Sequence, residues 1–225
     1  MGRKALIGII LGSAYLFGPG YAQAAVEMRY GFKTIFDISR HWSTAEKGGA
    51  DYSVESANRS GYGLGGILQA DLSPYFTLQP EVFFIRKGSV QNVTVAGVPI
   101  GPIRATYILD YLELPVILKT YFRARREPLA PHLGIGPYLS FLVHNKYKFK
   151  NSILGESEQK IEDLRTTDFG VVFVFGLDVH GPDALFSFGY RFSMGFVDLA
   201  LPTGPGFPAI DLRNQCHMFG LEIIF

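Results

Sequence analysis

The stretch Leu185-Phe-Ser-Phe-Gly-Tyr-Arg-Phe-Ser-Met-Gly-Phe196 places an aromatic or large apolar side chain at every second position. A period of two is typical of a β-strand, because successive side chains of a strand point to opposite faces. One face of this strand is bulky and apolar, whereas the other carries glycine, serine and a single arginine, Arg191. The face with small side chains suits a narrow interior, and the bulky apolar face suits contact with lipid. The stretch therefore predicts a strand with hydrocarbon on one side.

The composition is that of an ordered, β-rich protein. The chain has 225 residues, 48% of them hydrophobic and 14% aromatic, and its 26 glycines suit tight turns and closely packed strands. Its formal net charge of +1 gives no electrostatic basis for binding nucleic acid, so we predict no such partner. The single cysteine, Cys216, excludes a disulfide within the chain.

Residues 1–24 are predicted to be a cleavable signal peptide. Arg3 and Lys4 precede an apolar run, which is followed by a Gly-Pro-Gly break and by Ala22-Gln23-Ala24 as the cleavage site. The apolar run is too short for a comfortable spanning helix, and no later segment approaches the roughly 18 apolar residues that such a helix needs. The mature domain, residues 25–225, is therefore expected either to fold in an aqueous compartment or to cross a membrane as a barrel.

The period-two pattern recurs along the mature chain and predicts eight strands. These are residues 28–39, 60–72, 75–88, 104–122, 129–145, 166–180, 184–197 and 214–225. Four long connections alternate with three short turns, and the long ones are residues 40–59, 89–103, 146–165 and 198–213. Short periplasmic turns and long outer loops are typical of outer-membrane barrels. We therefore predict an all-β fold, an eight-stranded antiparallel transmembrane β-barrel located in the cell outer membrane and in contact with its lipid.

The two faces of the predicted strands assign side chains to lipid or to the lumen. Lipid-facing positions are predicted at Leu112, Leu114, Phe173, Phe175, Phe188 and Phe192. Charged side chains predicted to line the lumen are Lys33, Asp37, Asp71, Glu81, Lys87, Glu113, Lys119, Asp178, Arg191 and Glu222. Eight strands enclose a lumen just wide enough to be filled by side chains. We therefore expect these charges to pair into a network that closes the barrel.

The predicted strand 104–122 contains a proline, Pro115, close to the predicted lumen charge Glu113. Pro115 removes a donor from the backbone ladder, so it is expected to mark a bulge. Glu113, two residues earlier, is expected to pair across the lumen with Lys119, Lys87 or Arg191.

The stretch Tyr107-Ile-Leu-Asp-Tyr-Leu-Glu-Leu-Pro-Val-Ile-Leu-Lys-Thr-Tyr-Phe122 resembles the Tyr-Leu-Glu-(Ile/Leu)-Pro strand of the small outer-membrane barrels called PorT-like or porin-family, common in Bacteroidota. Further motifs follow in the family's order: Gly31-Phe-Lys-Thr34, Leu78-Gln-Pro-Glu-Val-Phe-Phe-Ile-Arg-Lys-Gly88, Pro131-His-Leu-Gly-Ile-Gly-Pro-Tyr138, Asp168-Phe-Gly170 and Gly189-Tyr-Arg191. The resemblance covers essentially the whole mature chain. It implies an eight-stranded barrel whose terminal Phe225 looks like the signal read by the barrel-assembly machinery.

The resemblance implies little about activity. The named member of the family is linked to secretion of cell-surface proteins, which implies a secretion or surface-protein partner bound through the outer loops. This chain departs from the common pattern in its long first and third loops and in the Gly/Pro-rich stretch of residues 201–208. The acidic, polar third loop, residues 151–163, is expected to be solvated, with partner or cation binding as the alternative.

No catalytic residue, cofactor or metal site is predicted. The five histidines, His41, His132, His144, His180 and His217, have no spacing such as His-Glu-x-x-His. The outer rim offers Ser43 and Asp51 beside His41 and His144, again without a distinctive spacing. The expected function is a non-enzymatic outer-membrane barrel, structural or secretion-accessory, that presents loops to partners. The alternatives are a porin-like channel for small solutes, a lipid-modifying outer-membrane enzyme and a periplasmic lipocalin-like binder.

Overall fold

The computed structural model describes residues 26–45, 52–95, 103–151, 155–161, 164–199 and 210–225, and the predicted signal peptide lies outside them. None of the described residues belongs to a helix long and apolar enough to span a membrane. The described residues form ten strands: β1 (Glu27–Ala45), β2 (Tyr52–Ala57), β3 (Arg59–Ser73), β4 (Phe76–Val95), β5 (Ile103–Tyr121), β6 (Leu129–Asn151), β7 (Gly155–Gln159), β8 (Thr167–His180), β9 (Leu185–Gly195) and β10 (Ile210–Ile224).

Eight of these strands close into a ring. The antiparallel pairing runs β3-β1-β10-β9-β8-β6-β5, and β4 closes the circle by pairing with both β3 and β5. The two remaining strands extend the wall at one end, where β2 pairs with β4 and β7 pairs with β6. The predicted eight-stranded antiparallel barrel is thereby confirmed. Short turns join the strands at the other end, which is therefore the end expected to face the periplasm, with the extensions on the outer side.

All four predicted long loops were assigned too much irregular chain. β1 continues to Ala45, β4 to Val95 and β6 to Asn151, and β10 begins at Ile210. The short strands β2 and β7 lie within the predicted loops 40–59 and 146–165. These segments are largely polar, so a test based on alternating apolar residues does not detect them. The backbone ladder continues above the apolar part of the wall because pairing does not require a buried face.

Side chains alternate between the outer surface and the lumen along the ring strands. In the stretch of residues 185–196, Phe186, Phe188 and Phe196 are exposed on the outer surface, whereas Ser187 and Arg191 are buried inside. The predicted lipid-facing residues Leu112, Leu114, Phe173, Phe175 and Phe188 all lie exposed on the outer surface. Phe192 lies on the same face but is half-buried, because its ring packs 5.1 Å from that of His217.

The outer end of the lumen is filled by apolar side chains. Ile35, Phe83, Ile85, Leu109, Tyr111, Leu199, Cys216 and Met218 form one buried cluster. Leu199 follows β9, and the partly buried Ile161 and Leu164, which precede β8, pack against the same cluster. Chain outside the ring therefore covers the outer mouth of the barrel.

Candidate functional site: the filled lumen

The middle of the lumen is occupied by a network built on two buried carboxylates, Glu81 and Glu222. Lys33 Nζ lies 3.1 Å from Glu81 Oε1 and 2.6 Å from Glu222 Oε1, so one ammonium bridges both carboxylates. Arg191 Nη2 donates to both carboxylate oxygens of Glu81, at 2.7 and 2.8 Å. Lys119 Nζ donates to Glu222 Oε2 at 3.1 Å. We refer to these five residues as the central network. Three cations share two anions within it.

An amide reinforces the central network. Gln79 Nε2 donates to Glu81 Oε1 at 2.6 Å and lies 3.3 Å from both oxygens of Glu222, and the same side chain accepts a hydrogen bond from Gln69 at 2.7 Å. Gln79 and Gln69 are fully buried. Buried charges are stabilised only where their remaining hydrogen-bonding capacity is met, and these amides supply part of it.

A second ion pair lies nearer the outer end. Lys87 Nζ donates to Glu113 Oε2, and Ser140 Oγ donates to the same oxygen at 3.0 Å. Both charged side chains are fully buried, and the ammonium also lies 5.0 Å from the centre of the Tyr138 ring. Of the three partners expected for Glu113, the structure places Lys87 beside it.

The prediction of a bulge at Pro115 is wrong. Pro115 pairs with Tyr138 in regular register between β5 and β6, and the register shift in this pair of strands lies instead between Asp110 and Tyr111. The irregularity therefore coincides with the outer limit of the apolar surface. The register of β5 against β6 is the same before and after Pro115.

Two predicted lumen carboxylates stand apart from the central network. Asp37 is fully buried, and neither of its oxygens has a hydrogen-bond partner among the described residues. Asp178 accepts a hydrogen bond from the Tyr121 hydroxyl at 3.0 Å, and its other oxygen lies 3.3 Å from His132 Nδ1. The structure therefore places both carboxylates in the lumen without a lysine or arginine partner among the described residues.

The periplasmic mouth is closed by arginines that the alternation of side chains along the strands does not predict. Arg125 lies in the turn between β5 and β6, yet its side chain is buried and donates to Asp71 Oδ1. Arg29 Nε lies 3.7 Å from the other oxygen of Asp71, and Thr77 donates to Asp71 at 2.8 Å. Arg125 was missed because a turn residue belongs to no strand face. Its only signal in the sequence is a basic residue inside a short turn.

A small cavity lies beside the central network. The cavity lined by Lys33, His132, Arg191, Met218 and Glu222 has a volume of about 10 Å³, which is room for a single water molecule. Among the residues that the structure describes, the central network, the periplasmic arginines and the outer apolar cluster occupy the lumen at three successive levels.

The histidines predicted at the rim do not come together. His41 is buried in the lumen, where its Nδ1 lies 2.8 Å from Ser89 Oγ. His144 lies outside the wall, 3.6 Å from Asp110 Oδ2, and the side chains of Ser43 and Asp51 lie outside the described residues. In the part of the chain that the structure describes, no group of three or more histidine, cysteine, aspartate or glutamate side chains is arranged to hold a metal ion.

Above the apolar wall, β6 and β7 form a charged hairpin. Glu158 on β7 lies 2.6 Å from Lys146 Nζ and 3.0 Å from Lys148 Nζ, so both ammoniums share one carboxylate. Hydrogen bonds from Lys146 and Lys148 lower the pKa of Glu158 to about 2. This hairpin lies within the predicted third loop and exposes its charged side chains to water.

The chain is similar to known outer-membrane barrels in sequence and in fold. A family model described as "Outer membrane protein beta-barrel domain" matches residues 20–200. Among solved structures, OprG from Pseudomonas aeruginosa is 14% identical, with 88% of this chain and 94% of that chain covered and a TM-score of 0.47. Ail of Yersinia pestis is also 14% identical, with 88% and 99% covered and a TM-score of 0.40. No curated protein matches the chain.

Proposed function

This chain belongs to the family of outer membrane protein beta-barrel domains, and from that premise we propose that it acts as a closed, non-enzymatic barrel of the outer membrane that presents its outer extensions to surface partners. The observation that carries the proposal is the filled lumen, with charged pairs at its centre, arginines at its periplasmic mouth and apolar side chains at its outer end. A barrel without a pathway through it acts through the surfaces that it displays.

The outer extensions are the surfaces available for this role. β2 and the β6–β7 hairpin rise above the ring, and within the described residues β2 pairs with β4 alone and β7 with β6 alone. Edge strands and exposed charged side chains are features through which proteins bind extended segments of partners. We propose that a secretion component or a surface protein binds there, as the resemblance to PorT-like barrels implies.

The experiment that tests partner binding is crosslinking and co-purification from gently solubilised outer membranes. The tagged protein is compared with a variant in which residues 148–158 are replaced by an Asn-Gly turn. A control variant carries Arg123→Gln and Arg126→Gln at the periplasmic end, where both side chains are exposed. A defined partner lost only from the hairpin variant is the expected result. The same crosslinked species in all three proteins, or none in any, contradicts the proposal.

The second candidate function is a porin-like channel for small solutes, which the barrel architecture favours. A conducting state requires the central network to separate, and removing a buried partner from such a pair costs several kcal/mol. We therefore propose no solute pathway through the resting protein. The lipid-modifying alternative is tested by comparing lipid A composition between a deletion strain and its parent, and we expect no difference.

Phe225 has a proposed role in assembly. Phe225 N donates to the carbonyl of Tyr30 at 2.8 Å, and the two rings lie 6.2 Å apart on the outer surface where the first and last strands meet. We propose that Phe225 serves as the signal for the barrel-assembly machinery before it takes this position. Deletion of Phe225 is expected to reduce the amount of folded barrel in the outer membrane, with little effect on refolding into detergent.

A further inference from the structure

An apolar groove crosses the outer surface of the barrel in its periplasmic half. It lies between two rows of outward-facing side chains on neighbouring strands. The lower row, on β4, β5, β6, β8 and β9, consists of Phe76, Thr120, Leu133, Phe175 and Tyr190. The upper row, on β5, β6 and β8, consists of Leu118, Ile135 and Phe173. The space between the rows, which we call the wall groove, has a volume of about 470 Å³.

The wall groove rises from the periplasmic end of the barrel toward the middle of its wall. Phe76 is the first residue of β4 and Thr120 is the last but one of β5, so the groove begins at the strand ends. Phe175 and Tyr190 lie five residues from the periplasmic ends of β8 and β9. Strands of membrane barrels tilt by about 35–45°, so a row of side chains across them is inclined to the membrane plane by a similar angle. The groove therefore leads from the periplasmic interface into the hydrocarbon.

The length of the wall groove is comparable with the depth of one leaflet. Four strand-to-strand steps lead from β4 through β5, β6 and β8 to β9, which at about 4.8 Å a step is a distance of about 19 Å. A row inclined at about 40° rises by about 12 Å over that distance. The hydrocarbon core of a bilayer is about 30 Å thick, so one leaflet contributes about 15 Å. The groove therefore follows most of the depth that one acyl chain occupies.

The lining of the wall groove is uncharged. Of its lining residues, only Thr120 and Tyr190 carry hydroxyl groups, one at each end, and the Tyr190 hydroxyl is hydrogen-bonded to His217 Nδ1 at 2.7 Å. Gly134 and Val174 lie between the two rows. Every strand segment that borders the groove belongs to the part of the chain that the structure describes. The lining therefore offers van der Waals contact to an apolar chain and no ionic contact to a headgroup.

We propose that the wall groove retains one acyl chain of a phospholipid from the periplasmic leaflet. The headgroup lies at the interface beside Thr120, and the chain runs between the two rows toward Tyr190. The occupant is a lipid because this face of the barrel lies against the hydrocarbon of the outer membrane, and because the groove matches one chain in length and inclination. The site needs only the outer-membrane location of the barrel, and it stands whether or not the outer extensions bind a protein.

The first test is native mass spectrometry of the purified barrel in detergent, with three probes offered separately. The probes are palmitoyl-oleoyl phosphatidylethanolamine, phosphatidylglycerol with the same two chains, and glycerophosphoethanolamine, which has no acyl chain. The variant Thr120→Phe fills the periplasmic end of the groove. The matched control, Thr34→Phe, enlarges an exposed, outward-facing threonine of β1 that lies outside the groove. Heat-modified migration on gels verifies that each variant is folded.

We expect the wild-type barrel to retain one phospholipid, with similar affinity for the two headgroups, and not to bind the probe without a chain. Thr120→Phe is expected to bind roughly fivefold to tenfold more weakly, the loss expected when about ten atom–atom contacts are removed. The control is expected to bind like the wild type. Equal binding by Thr120→Phe, or an equal loss in the control, overturns the proposal. Binding of the probe without a chain, or a marked preference for one headgroup, overturns the assignment to an acyl chain.

Photocrosslinking in intact cells distinguishes a lipid from a protein in the wall groove. The variant Leu118→p-benzoylphenylalanine places a photoreactive group in the upper row, and Leu64→p-benzoylphenylalanine places one on the exposed wall of β3, outside the groove. We expect phospholipid adducts and no crosslinked protein at position 118. A crosslinked protein specific to position 118 would assign the groove to a protein partner and overturn the proposal.

Discussion

Arg191 on β9 and Glu81 on β4 join opposite sides of the barrel. In the ring order β3-β1-β10-β9-β8-β6-β5-β4, four strand-to-strand steps separate β9 from β4 in either direction. The bidentate contact at 2.7 and 2.8 Å therefore spans the full width of the lumen. Lys119 on β5 and Glu222 on β10 form a second contact of the same kind at 3.1 Å. These two contacts connect opposite walls and fill the space between them.

Breaking one side of the central network is expected to destabilise the barrel strongly. Arg191→Leu leaves Glu81 buried with Lys33 as its remaining cation, and removal of one partner from a buried pair costs about 3–5 kcal/mol. Arg191→Leu/Glu81→Leu is expected to cost much less than the sum of the single changes, since Lys33 keeps its 2.6 Å contact with Glu222. Urea unfolding in phospholipid vesicles measures all three variants. Additive losses would show that the pair contributes no coupling.

A close approach between β3 and β4 predicts a contrast between two adjacent glycines. A β-carbon added to Gly65 would lie 2.2 Å from Phe83 Cβ and 2.2 Å from the Val82 carbonyl oxygen, so the backbone must shift. A β-carbon added to Gly66 would meet nothing closer than 3.9 Å. We expect Gly65→Ala to destabilise the barrel by about 1–3 kcal/mol and Gly66→Ala to leave its unfolding midpoint nearly unchanged. Similar midpoints for both variants would argue against this packing.

The outer surface predicts a dependence on depth for charged substitutions. Phe173 lies in the middle of β8, whereas Phe188 lies three residues from the periplasmic start of β9. Phe173→Arg is expected to cost about 2–4 kcal/mol, and Phe188→Arg less, because an arginine nearer the interface reaches headgroups and water. The comparison uses unfolding in vesicles of defined thickness. Tolerance of arginine at both positions would be incompatible with a lipid-facing wall.

The charged hairpin predicts a pH dependence outside the membrane. The pKa of Glu158 is lowered to about 2 by hydrogen bonds from Lys146 and Lys148, compared with about 4.3 for an unperturbed glutamate. A lowered pKa in the folded state means that the carboxylate stabilises the hairpin at neutral pH, and this contribution is lost as the pH falls from about 4.3 through about 2. Carboxyl chemical shifts of Glu158 measure the titration. In Lys146→Met/Lys148→Met the midpoint is expected to return toward the ordinary value, and an unchanged midpoint would disprove the pairing.

The strand faces were predictable from the sequence because the barrel obeys a simple period. Phe188 is apolar and stands at an even position of its strand, whereas Arg191 is charged and stands at an odd one. These two properties suffice to place Phe188 toward lipid and Arg191 in the lumen. The period does not specify which charges meet. Glu113 had three candidate partners in the sequence, and the choice of Lys87 depends on the register between β4 and β5.

Other features left no periodic signal. Arg125 closes the periplasmic mouth from a turn, where side-chain direction follows backbone geometry and not alternation. The strands β2 and β7 are short and polar, so their pairing depends on the neighbouring strands β4 and β6 that offer an edge. Asp37 was expected to join the charge network, but its neighbours on the adjacent strands, Gly61 and Met218, provide no charged side chain.

Conductance of the purified barrel in planar lipid bilayers tests directly whether the lumen is closed. A known porin prepared in the same detergent serves as the positive control for insertion. We predict that the inserted wild-type protein gives no stepwise conductance, because the central network and the groups above and below it fill the lumen. Stable, ohmic steps from the wild-type protein at neutral pH would contradict the closed barrel and would establish a channel instead.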